Sequence, residues 1–419
     1  MEYVLVLPVP FYRVSANEFA CESAFSDHLR LLCHNIPVQY DSIRVCGPSI
    51  PADDYQRSKE HLGHIREQQE QIFLTELYPK DIRFAKFLKS YALSTFKTLW
   101  QVVSRAGLVH SGPSMNLFQP IEIFSLVAAK LLGKKSIAVV DIDIRKDVER
   151  AYQLGMINKN RYLIERIILE PLRRLQLRWV ARNCSLVLFK GQALVSDYGN
   201  EKDSVKNFFD ASHSSQHIIS EAQLAEKINR KNHQDQPIKC VYFGRFVARK
   251  GIDYCIRSVV QARKNHNANI NLTIIGDGPD KEKLASLIKE QDAEQFIVLL
   301  PPIQFGPELF STLYRFDILL AAPLTEDTPR SAFDAMAAGM ALCAYDTDYY
   351  HTLAQFGPMV KVSPWLNVAA MAETIANLAK DPTTLAKAQI DARRFAEENT
   401  QEIWLEKRLK WTKEYCSTA

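Results

Sequence analysis

The chain has 419 residues, of which 47% are apolar and 24% are charged. This composition is typical of a globular protein, and the length exceeds what one hydrophobic core usually supports, so we predict two domains of roughly 200 residues each. The net charge of +4 is too small to indicate a nucleic-acid partner.

Cysteine usage and the first residues indicate a reducing compartment. The eight cysteines are scattered, form no C-x-x-C pair and fall mostly in apolar runs, which predicts buried free thiols. The N-terminal MEYVLVLPVP carries Glu2 and is interrupted by Pro8, so it predicts a strand rather than a signal peptide. No apolar run approaches the roughly 18 residues of a membrane span. We therefore expect a cytoplasmic protein, either free or lying peripherally on the inner membrane face.

In the first half, short apolar runs alternate with longer amphipathic stretches. Strands are predicted over residues 3–7, 38–45, 108–111, 136–140, 184–189 and 204–209. Helices are predicted over residues 17–32, 53–73, 82–105, 122–132 and 163–182. The loop over residues 8–15 contains no glycine, which argues against a dinucleotide-binding fingerprint after the first strand.

The helix predicted over residues 163–182 has a basic side. Its charged residues are Arg166, Arg173, Arg174, Arg178 and Arg182, with Glu165 and Glu170. A solvated helix face explains this pattern, and so does a surface that rests on anionic lipid. The sequence leaves both interpretations open.

The second half repeats the alternation after a polar stretch, residues 213–236, which predicts a connection between domains. Strands are predicted over residues 239–243, 272–275, 296–300, 318–322, 341–345 and 360–362. Helices are predicted over residues 252–264, 281–291, 308–314, 329–338, 368–379, 382–397 and 400–415.

This order of elements predicts an α/β protein with two Rossmann-like, doubly wound parallel-sheet domains facing a cleft. Ligands are expected at the carboxyl ends of the strands and in that cleft. The predicted boundaries are an N-terminal acceptor-binding domain over residues 1–211, a linker over 212–236 and a C-terminal donor-binding domain over 237–395. A final helix within residues 396–419 is expected to pack back on the N-terminal domain.

Residues 317–346 carry the most informative pattern. A strand is followed by a loop with Glu326, then by Thr328 as helix N-cap and Pro329 at the first helical position. A helix N-terminus at the carboxyl end of a strand suits a phosphate. Glu326 and Asp334 suit the hydroxyls of a ribose or hexose, because carboxylates repel phosphate. Solvated loop charges and an exposed helix residue are the alternative interpretation.

Two further loops in this half carry candidate ligand-binding residues. The segment GRFVARKG places Arg245 and Lys250 directly after the strand at 239–243, where two cations can clamp a diphosphate. A basic loop with Gly251 as a turn is the alternative. The segment GDGP at residues 276–279 lacks the lysine of a P-loop, and a plain turn is the simpler interpretation.

Taken together, GR-x4-KG, a strand followed by GDGP, and E-x7-D-A-M-A-A-G resemble the retaining glycosyltransferases of the GT-B fold, glycosyltransferase family four. The motifs lie within residues 239–346, whereas the first half is similar only in its alternation of elements. The second acid of the family pattern is a glutamate, and Asp334 stands in its place. The resemblance implies a nucleotide sugar as donor, UDP- or GDP-linked, with no cofactor and no metal.

The resemblance also implies a role for each candidate residue. Arg245 and Lys250 would hold the donor diphosphate, Glu326 would orient the sugar, and Asp334 would bind ribose hydroxyls. The remaining donor-site candidates are Thr328, Arg330, Ser331, Gly244 and Gly276.

Asp143 is the acceptor-side candidate for assisting the attacking hydroxyl. It lies in Asp141-Ile142-Asp143, which has the D-x-D spacing of metal-dependent transferases but is interpreted here as lying on the acceptor side. The family often has a histidine near this position. It also usually has glycines after the first strand and a Gly-aromatic-Gly run after Glu326. This chain has neither, which leaves the acceptor and the sugar open.

The function expected from the resemblance is metal-independent transfer of a hexose-type sugar, with retention, to a hydroxyl of a saccharide, lipid-linked or other glycoconjugate acceptor. A peripheral contact with anionic membrane accompanies this expectation. Two alternatives stay open: a non-catalytic nucleotide-sugar-binding partner of another transferase, and a nucleotide-sugar epimerase of similar two-domain fold.

Overall fold

A computed structural model describes residues 1–36, 40–50, 55, 62–114, 116–141, 147–199, 202–230 and 236–417. The chain divides into two compact units. The first comprises Met1–Asp141, Leu163–Phe208 and Leu405–Ala419, and the second comprises Ile142–Tyr162 and Phe209–Trp404. This division differs from the predicted boundaries, because Ile142–Tyr162 leaves the first half and the predicted linker belongs to the second unit.

The first unit is built on a mixed sheet. Its strands are β1 (Glu2–Val6), β2 (Phe11–Ser15), β3 (Glu18–Glu22), β4 (Ser42–Ile50), β5 (Leu62–Arg66), β6 (Ile72–Pro79), β7 (Ala106–Ser111), β8 (Lys135–Val140), β9 (Leu186–Phe189) and β10 (Val205–Asn207). Their order is β10-β9-β8-β7-β1-β4-β2-β3-β5, with β6 paired to β4. The pairs β2–β3 and β3–β5 are antiparallel, and the other pairs are parallel.

The antiparallel part of this sheet overturns two predicted helices. The prediction over residues 17–32 is wrong at its start, since β3 pairs with β2 and β5 there and the helix begins only at Ser23. Phe11 and Phe19 hold the hairpin together, with ring centroids 5.8 Å apart. The helix predicted over 53–73 is also wrong over residues 62–66 and 72–73, which lie in strands separated by only a short turn of helix; residues 53–54 and 56–61 lie outside the described residues.

The helices of the first unit are α1 (Ser23–Asn35), α2 (Glu67–Glu70), α3 (Phe84–Ser90), α4 (Ala92–Arg105), α5 (Ile121–Leu131), α8 (Glu170–Asn183) and α9 (Gln192–Tyr198). Helices α6 (Asp147–Gln153) and α7 (Lys159–Ile164) follow one another along the chain, and a π-helical turn over Glu165–Leu169 joins α7 to α8. The single helix predicted over residues 82–105 is two helices that meet at Tyr91. The core between sheet and helices includes Val4, Leu99, Val109 and Val187.

The second unit contains an all-parallel sheet in its described residues. Its strands are β11 (Ile238–Phe243), β12 (Ile270–Ile275), β13 (Ile297–Leu300), β14 (Ile318–Ala321), β15 (Ala341–Tyr345) and β16 (Val360–Ser363). The order β13-β12-β11-β14-β15-β16 runs outward in both directions from the β11–β14 pair. That pair is the topological switch point at which doubly wound sheets bind their ligands. The six predicted strands lie within two residues of these positions.

The helices that cover this sheet are α10 (Glu221–Asn229), α11 (Ile252–His266), α12 (Lys281–Glu290), α13 (Pro307–Leu313), α14 (Ser331–Ala337), α15 (Asp348–Ala354), α16 (Val368–Lys380) and α17 (Pro382–Glu397). The last helix, α18 (Gln401–Cys416), begins in this unit and ends in the first. The predicted connection over 213–236 contains α10, which the polar composition concealed. All eight cysteines are free, as predicted. Within the described residues, no helix has the length and apolar character needed to cross a membrane.

Candidate functional site

The site is built where the loops after β11 and β14 meet at the switch point. The backbone N–H of Leu324 donates to the carbonyl of Arg249 at 2.8 Å. Gly251 has a φ of +60°, and a Cβ on it would lie 1.9 Å from the carbonyl oxygen of Ala322. The two loops therefore pack backbone to backbone, and only glycine fits at their closest approach.

The loop after β12 supports this arrangement from the other side. Gly276 has a φ of +151°, and a Cβ there would lie 2.0 Å from the carbonyl oxygen of Gly244. The backbone N–H of Phe246 donates to the carbonyl of Asp277 at 2.8 Å, and that of Asp280 donates to the carbonyl of Phe246 at 3.1 Å. The GDGP segment is thus more than the plain turn expected from sequence, since it fixes the path of the β11 loop.

Glu326 lies buried in the β14 loop and forms an ion pair with Arg150. The same carboxylate accepts the backbone N–H of Asp348 at 3.3 Å, and the backbone N–H of Glu326 donates to Asp147 at 2.5 Å. Asp147 and Arg150 both belong to α6, so this short helix covers Glu326 within the second unit.

Burial is the main influence on the acidity of Glu326. It raises the pKa of the carboxyl group, and the nearby charge of Asp348 acts in the same direction. The guanidinium of Arg150 and the Asp348 N–H act against this rise. Removing the cation would therefore push the pKa of Glu326 further upward.

Asp327, the next residue, is buried and holds two cations of the β11 loop. Its carboxylate pairs with the ammonium of Lys250 and, at 3.2 Å, with the guanidinium of Arg249. The alternative interpretation of the acids in this loop, Glu326 and Asp327, as solvated charges is therefore wrong. The contacts bring Arg249 and Lys250 next to the Glu326–Asp327 dipeptide, so two cations and two acids share this edge of the sheet.

Asp334 is buried in α14 and accepts the hydroxyl of Ser212 at 2.8 and 3.1 Å. Burial raises the pKa of Asp334 to about 7, with the charge of Asp210 adding to the rise, while Ser212 and Arg330 oppose it. At neutral pH this carboxyl group is therefore divided between its charged and neutral forms.

A buried tyrosine connects the two acidic positions. The hydroxyl of Tyr349 donates to the carbonyl of Pro329 at 3.2 Å. Burial raises the pKa of Tyr349 well above its usual value, and the charges of Asp327, Asp210 and Asp334 act in the same direction. The Tyr349 hydroxyl thus feels the negative charge of both acidic positions.

The other predicted residues occupy different positions. Helix α14 begins at Ser331, so the prediction of Thr328 as N-cap is wrong; Arg330 precedes the helix in helical conformation without a side-chain cap. The reason is that the carbonyl of Pro329 is used in a tight turn to the N–H of Ala332. Thr328 and Ser331 are half-buried, and Arg330 is exposed.

Arg245 and Gly244 lie exposed at the start of the β11 loop. The carbonyl of Arg245 accepts the hydroxyl of Tyr242 at 3.1 Å, which fixes its backbone and leaves the side chain at the surface. Asp143 lies outside the described residues. Among those that are described, no group of three or more His, Cys, Asp and Glu side chains is arranged to hold a metal ion.

Sequence reasoning missed Arg150, Asp147, Asp348 and Ser212. Arg150 and Asp147 stand more than 170 positions before Glu326 in the chain, and no spacing rule connects them to it. A weak signal for Asp348 existed, because Asp in the first turn of a helix interacts favourably with its dipole; α15 was not predicted.

Part of the chain matches a known family model. Residues 223–398 match the family model of glycosyl transferases group 1, which spans the loops after β11, β12 and β14. No curated protein matches the chain by sequence.

Solved structures share the fold over nearly the whole chain. HepE from Anabaena in complex with UDP has 12% identity and a TM-score of 0.65, with 99% of this chain and 100% of that chain covered. Sucrose-phosphate synthase from Thermosynechococcus elongatus has 13% identity and a TM-score of 0.63, with coverages of 99% and 98%. WaaG, a glycosyltransferase involved in lipopolysaccharide biosynthesis, has 10% identity and a TM-score of 0.61, with coverages of 99% and 100%. The predicted pair of Rossmann-like units is confirmed by this likeness.

Proposed function

We propose that this chain, which has the GT-B fold and matches the glycosyl transferases group 1 model over residues 223–398, is a glycosyltransferase that moves a hexose-type sugar from a UDP- or GDP-linked donor to a hydroxyl group. The acceptor is a saccharide, a lipid-linked saccharide or another glycoconjugate. The anomeric configuration is retained, and no metal takes part. HepE, which has a similar fold, is known in complexes with UDP and with UDP-glucose, and this supports a nucleoside diphosphate sugar as donor.

One observation carries the proposal: the loops after β11 and β14 are joined at the switch point. The Lys250–Asp327 ion pair and the Leu324–Arg249 hydrogen bond hold them together. A donor bound at this edge meets cations from one loop and carboxylates from the other. Cations suit a diphosphate, and carboxylates suit sugar hydroxyls.

The chemistry follows from where charge develops. As the bond between the sugar C1 and the diphosphate oxygen breaks, negative charge grows on the leaving nucleoside diphosphate. Lys250 is held in place by Asp327 before the reaction, so it stabilises that charge without reorganisation. Arg245, exposed at the loop start, adds a second cation from the solvent side.

The acceptor hydroxyl attacks C1 as this bond breaks, and its proton passes to the departing phosphate oxygen. Asp143 is the second candidate for receiving the proton. Retention is an inference from the family resemblance alone.

Glu326 and Asp334 bind different hydroxyl groups of the donor. Glu326 orients the transferred sugar, and its free lone pairs are limited by Arg150 and the Asp348 N–H. A sugar hydroxyl therefore shares the carboxylate with Arg150. Asp334 binds the ribose, with Ser212 as the group that holds its carboxylate in place. Thr328 and Ser331 flank the sugar and phosphates.

The experiment is a donor panel. The purified chain is incubated with UDP-, GDP- and ADP-sugars, and released nucleoside diphosphate is measured with and without saccharide acceptors. We expect slow release with one base in the absence of acceptor and faster release in its presence. An epimerase would change the sugar and leave the nucleotide attached, and that result would contradict the proposal.

Two variants and a matched control sharpen the panel. Lys250→Ala is expected to lower kcat/KM by on the order of a hundredfold, because it removes one charge-assisted hydrogen bond to the diphosphate. Lys283→Ala, at an exposed lysine of α12, should leave kcat/KM unchanged. Glu326→Gln should bind the nucleotide sugar normally and lose turnover. Full activity of Lys250→Ala would remove the diphosphate role from that lysine.

The second candidate function is a non-catalytic nucleotide-sugar-binding partner of another transferase. The pairing of Glu326 with Arg150 favours it, because a neutralised acid is a weaker partner for a sugar hydroxyl. A binding partner would show a rise in melting temperature with one nucleotide sugar and no release of nucleoside diphosphate under any acceptor condition.

A further inference from the structure

A stripe of large aliphatic side chains lies exposed on the first unit. It runs from the end of α7 through the π-helical turn into α8 and consists of Leu163, Ile164, Ile167, Ile168, Leu172 and Leu175. Their exposed fractions range from 41% to 67%. Single exposed aliphatic residues are ordinary, but a continuous stripe of six is an apolar patch that indicates a partner.

Helical spacing places these residues on one face. Ile164, Ile168 and Leu172 follow one another at intervals of four, and Leu175 follows after three more. The opposite face is turned to the core, where Leu169, Leu177, Val180 and Ala181 are buried. The helix thus has one apolar side inside the unit and a second one in solvent.

Charge is distributed unevenly around this stripe. Residues 163–182 hold five arginines and two glutamates, a net charge of +3 in a chain whose total is +4. Glu165 is buried and pairs with Arg173 at 2.7 Å, and Glu170 pairs with Arg174. Both acids are therefore neutralised on or beneath the helix, and the outer surface is basic.

The exposed arginines lie along one edge of the stripe. Arg166, Arg174 and Arg178 are separated by eight and four residues, a spacing that keeps them on one side of the helix, and Arg174 also pairs with Glu170. Long basic side chains beside an apolar face are the pattern of helices that lie in the plane of a bilayer, with aliphatic groups among the acyl chains and cations at the phosphates.

We propose that this face, residues 163–178, docks on an anionic lipid bilayer. The charge complementarity selects this occupant, because a symmetric pairing with a second copy would place two basic edges and two excess positive charges against each other. Docking would hold the first unit at a lipid surface, where a lipid-linked acceptor is concentrated. The proposal is independent of the donor chemistry.

The test is co-sedimentation of the full chain with vesicles of phosphatidylcholine alone and of phosphatidylcholine mixed with phosphatidylglycerol. We expect binding to the anionic vesicles, weakening with added salt, and little binding to the neutral ones. The Ile167→Glu/Leu175→Glu variant should bind about tenfold more weakly or not at all. Arg178→Gln, which changes no core contact, should show weaker binding and a smaller salt dependence.

The matched control is Ile390→Glu, which alters another exposed isoleucine, on α17 of the second unit, and should bind as the unaltered chain does. Circular dichroism and melting temperature establish that each variant is folded.

Equal binding to both vesicle types, or full binding by the double variant, overturns the proposal. So does a stable dimer that Ile167→Glu converts to a monomer, since a second copy would then occupy the face. Binding to neither vesicle type also overturns it and leaves an acidic protein as the partner. Donor hydrolysis in solution, measured in parallel, reports separately on the transferase site.

Discussion

At the scale of single residues, the contact between Glu326 and Arg150 has the clearest energetic consequence. Both side chains are largely buried, with 4% and 13% of their surfaces exposed, and the pair lies within the second unit. A buried ion pair is costly to break from one side, because the remaining charge keeps no partner and little water.

We therefore expect Arg150→Ala to lower the free energy of unfolding by on the order of 3 kcal/mol. Arg150→Ala combined with Glu326→Gln should cost less than the sum of the two single changes, because the double variant leaves no unpaired charge. Urea unfolding of the four proteins measures this coupling. Strict additivity would show that the contact contributes nothing to stability.

The raised pKa of Asp334 predicts that the stability of the folded chain depends on pH. Its pKa is raised to about 7 in the folded protein against an ordinary value of 3.8, so between these values the folded state binds the proton and the unfolded state does not. The contribution of Asp334 to the free energy of unfolding is fully present below about pH 4. It falls as the pH rises from about 4 to about 7 and is constant at higher pH.

Asp334→Asn removes this titration. The melting temperature of the unaltered chain, relative to that of the variant, should fall as the pH is raised from 5 to 8, and scanning calorimetry across that range measures it. A difference that stays constant with pH would mean that Asp334 has an ordinary pKa. Ser212→Ala, which takes away a donor that lowers the pKa of Asp334, should extend the fall to higher pH.

At the scale of elements, two glycines allow the backbone strain of a substitution to be distinguished from a steric clash between the β11 and β12 loops. Gly276 and Gly306 have similar φ angles, +151° and +141°, but a Cβ on Gly276 would meet the carbonyl of Gly244 whereas one on Gly306 would meet nothing within 4 Å. Gly306→Ala therefore carries backbone strain alone, and Gly276→Ala carries strain and a clash.

We expect Gly276→Ala to destabilise the chain by at least about 2 kcal/mol more than Gly306→Ala. It should also weaken nucleotide binding, because the β11 loop has to move. Thermal unfolding and isothermal titration with nucleoside diphosphates measure the two effects. Equal destabilisation of the two variants would show that the β12 loop can move away from the Gly244 carbonyl without loss of stability.

The elements also show which features a sequence can predict. The strands of the second sheet are predicted from the sequence because each is a short apolar run. A parallel strand that is covered by helices on both faces has such a run in its own sequence, whatever strand it pairs with. The β2–β3 hairpin was mistaken for loop and helix, since Phe11–Ser15 and Glu18–Glu22 become strands through pairing with each other and with Leu62–Arg66.

The candidate site shows the same limit. The loop residues Lys250 and Glu326 and the helix residue Asp334 are predicted from local motifs. Their partners Arg150 and Ser212 are not, because each stands more than 120 positions away and is brought close only by the fold.

At the scale of the whole molecule, the two units should respond differently to a nucleotide. If the donor binds at the β11–β14 switch point, amide hydrogen exchange should slow in residues 244–251, 276–280 and 322–330 of the second unit. The strands of the first sheet should change much less. Exchange measured by mass spectrometry, with and without UDP, tests this; a cytidine monophosphate sample serves as the control. Protection concentrated in the first unit would place the donor elsewhere.

The division of the chain also affects how the protein can be shortened. The backbone passes between the units at Asp141–Ile142, Tyr162–Leu163, Phe208–Phe209 and Trp404–Leu405. A truncated fragment, Phe209–Trp404, would keep every strand of the second sheet but discard Arg150 and Asp147. Glu326 would then lose both its cation and the helix that covers it, and such an excised piece would be a poor substitute for the intact polypeptide in ligand studies. A circularly permuted gene that retains residues 142–162 would preserve the acid in its native surroundings.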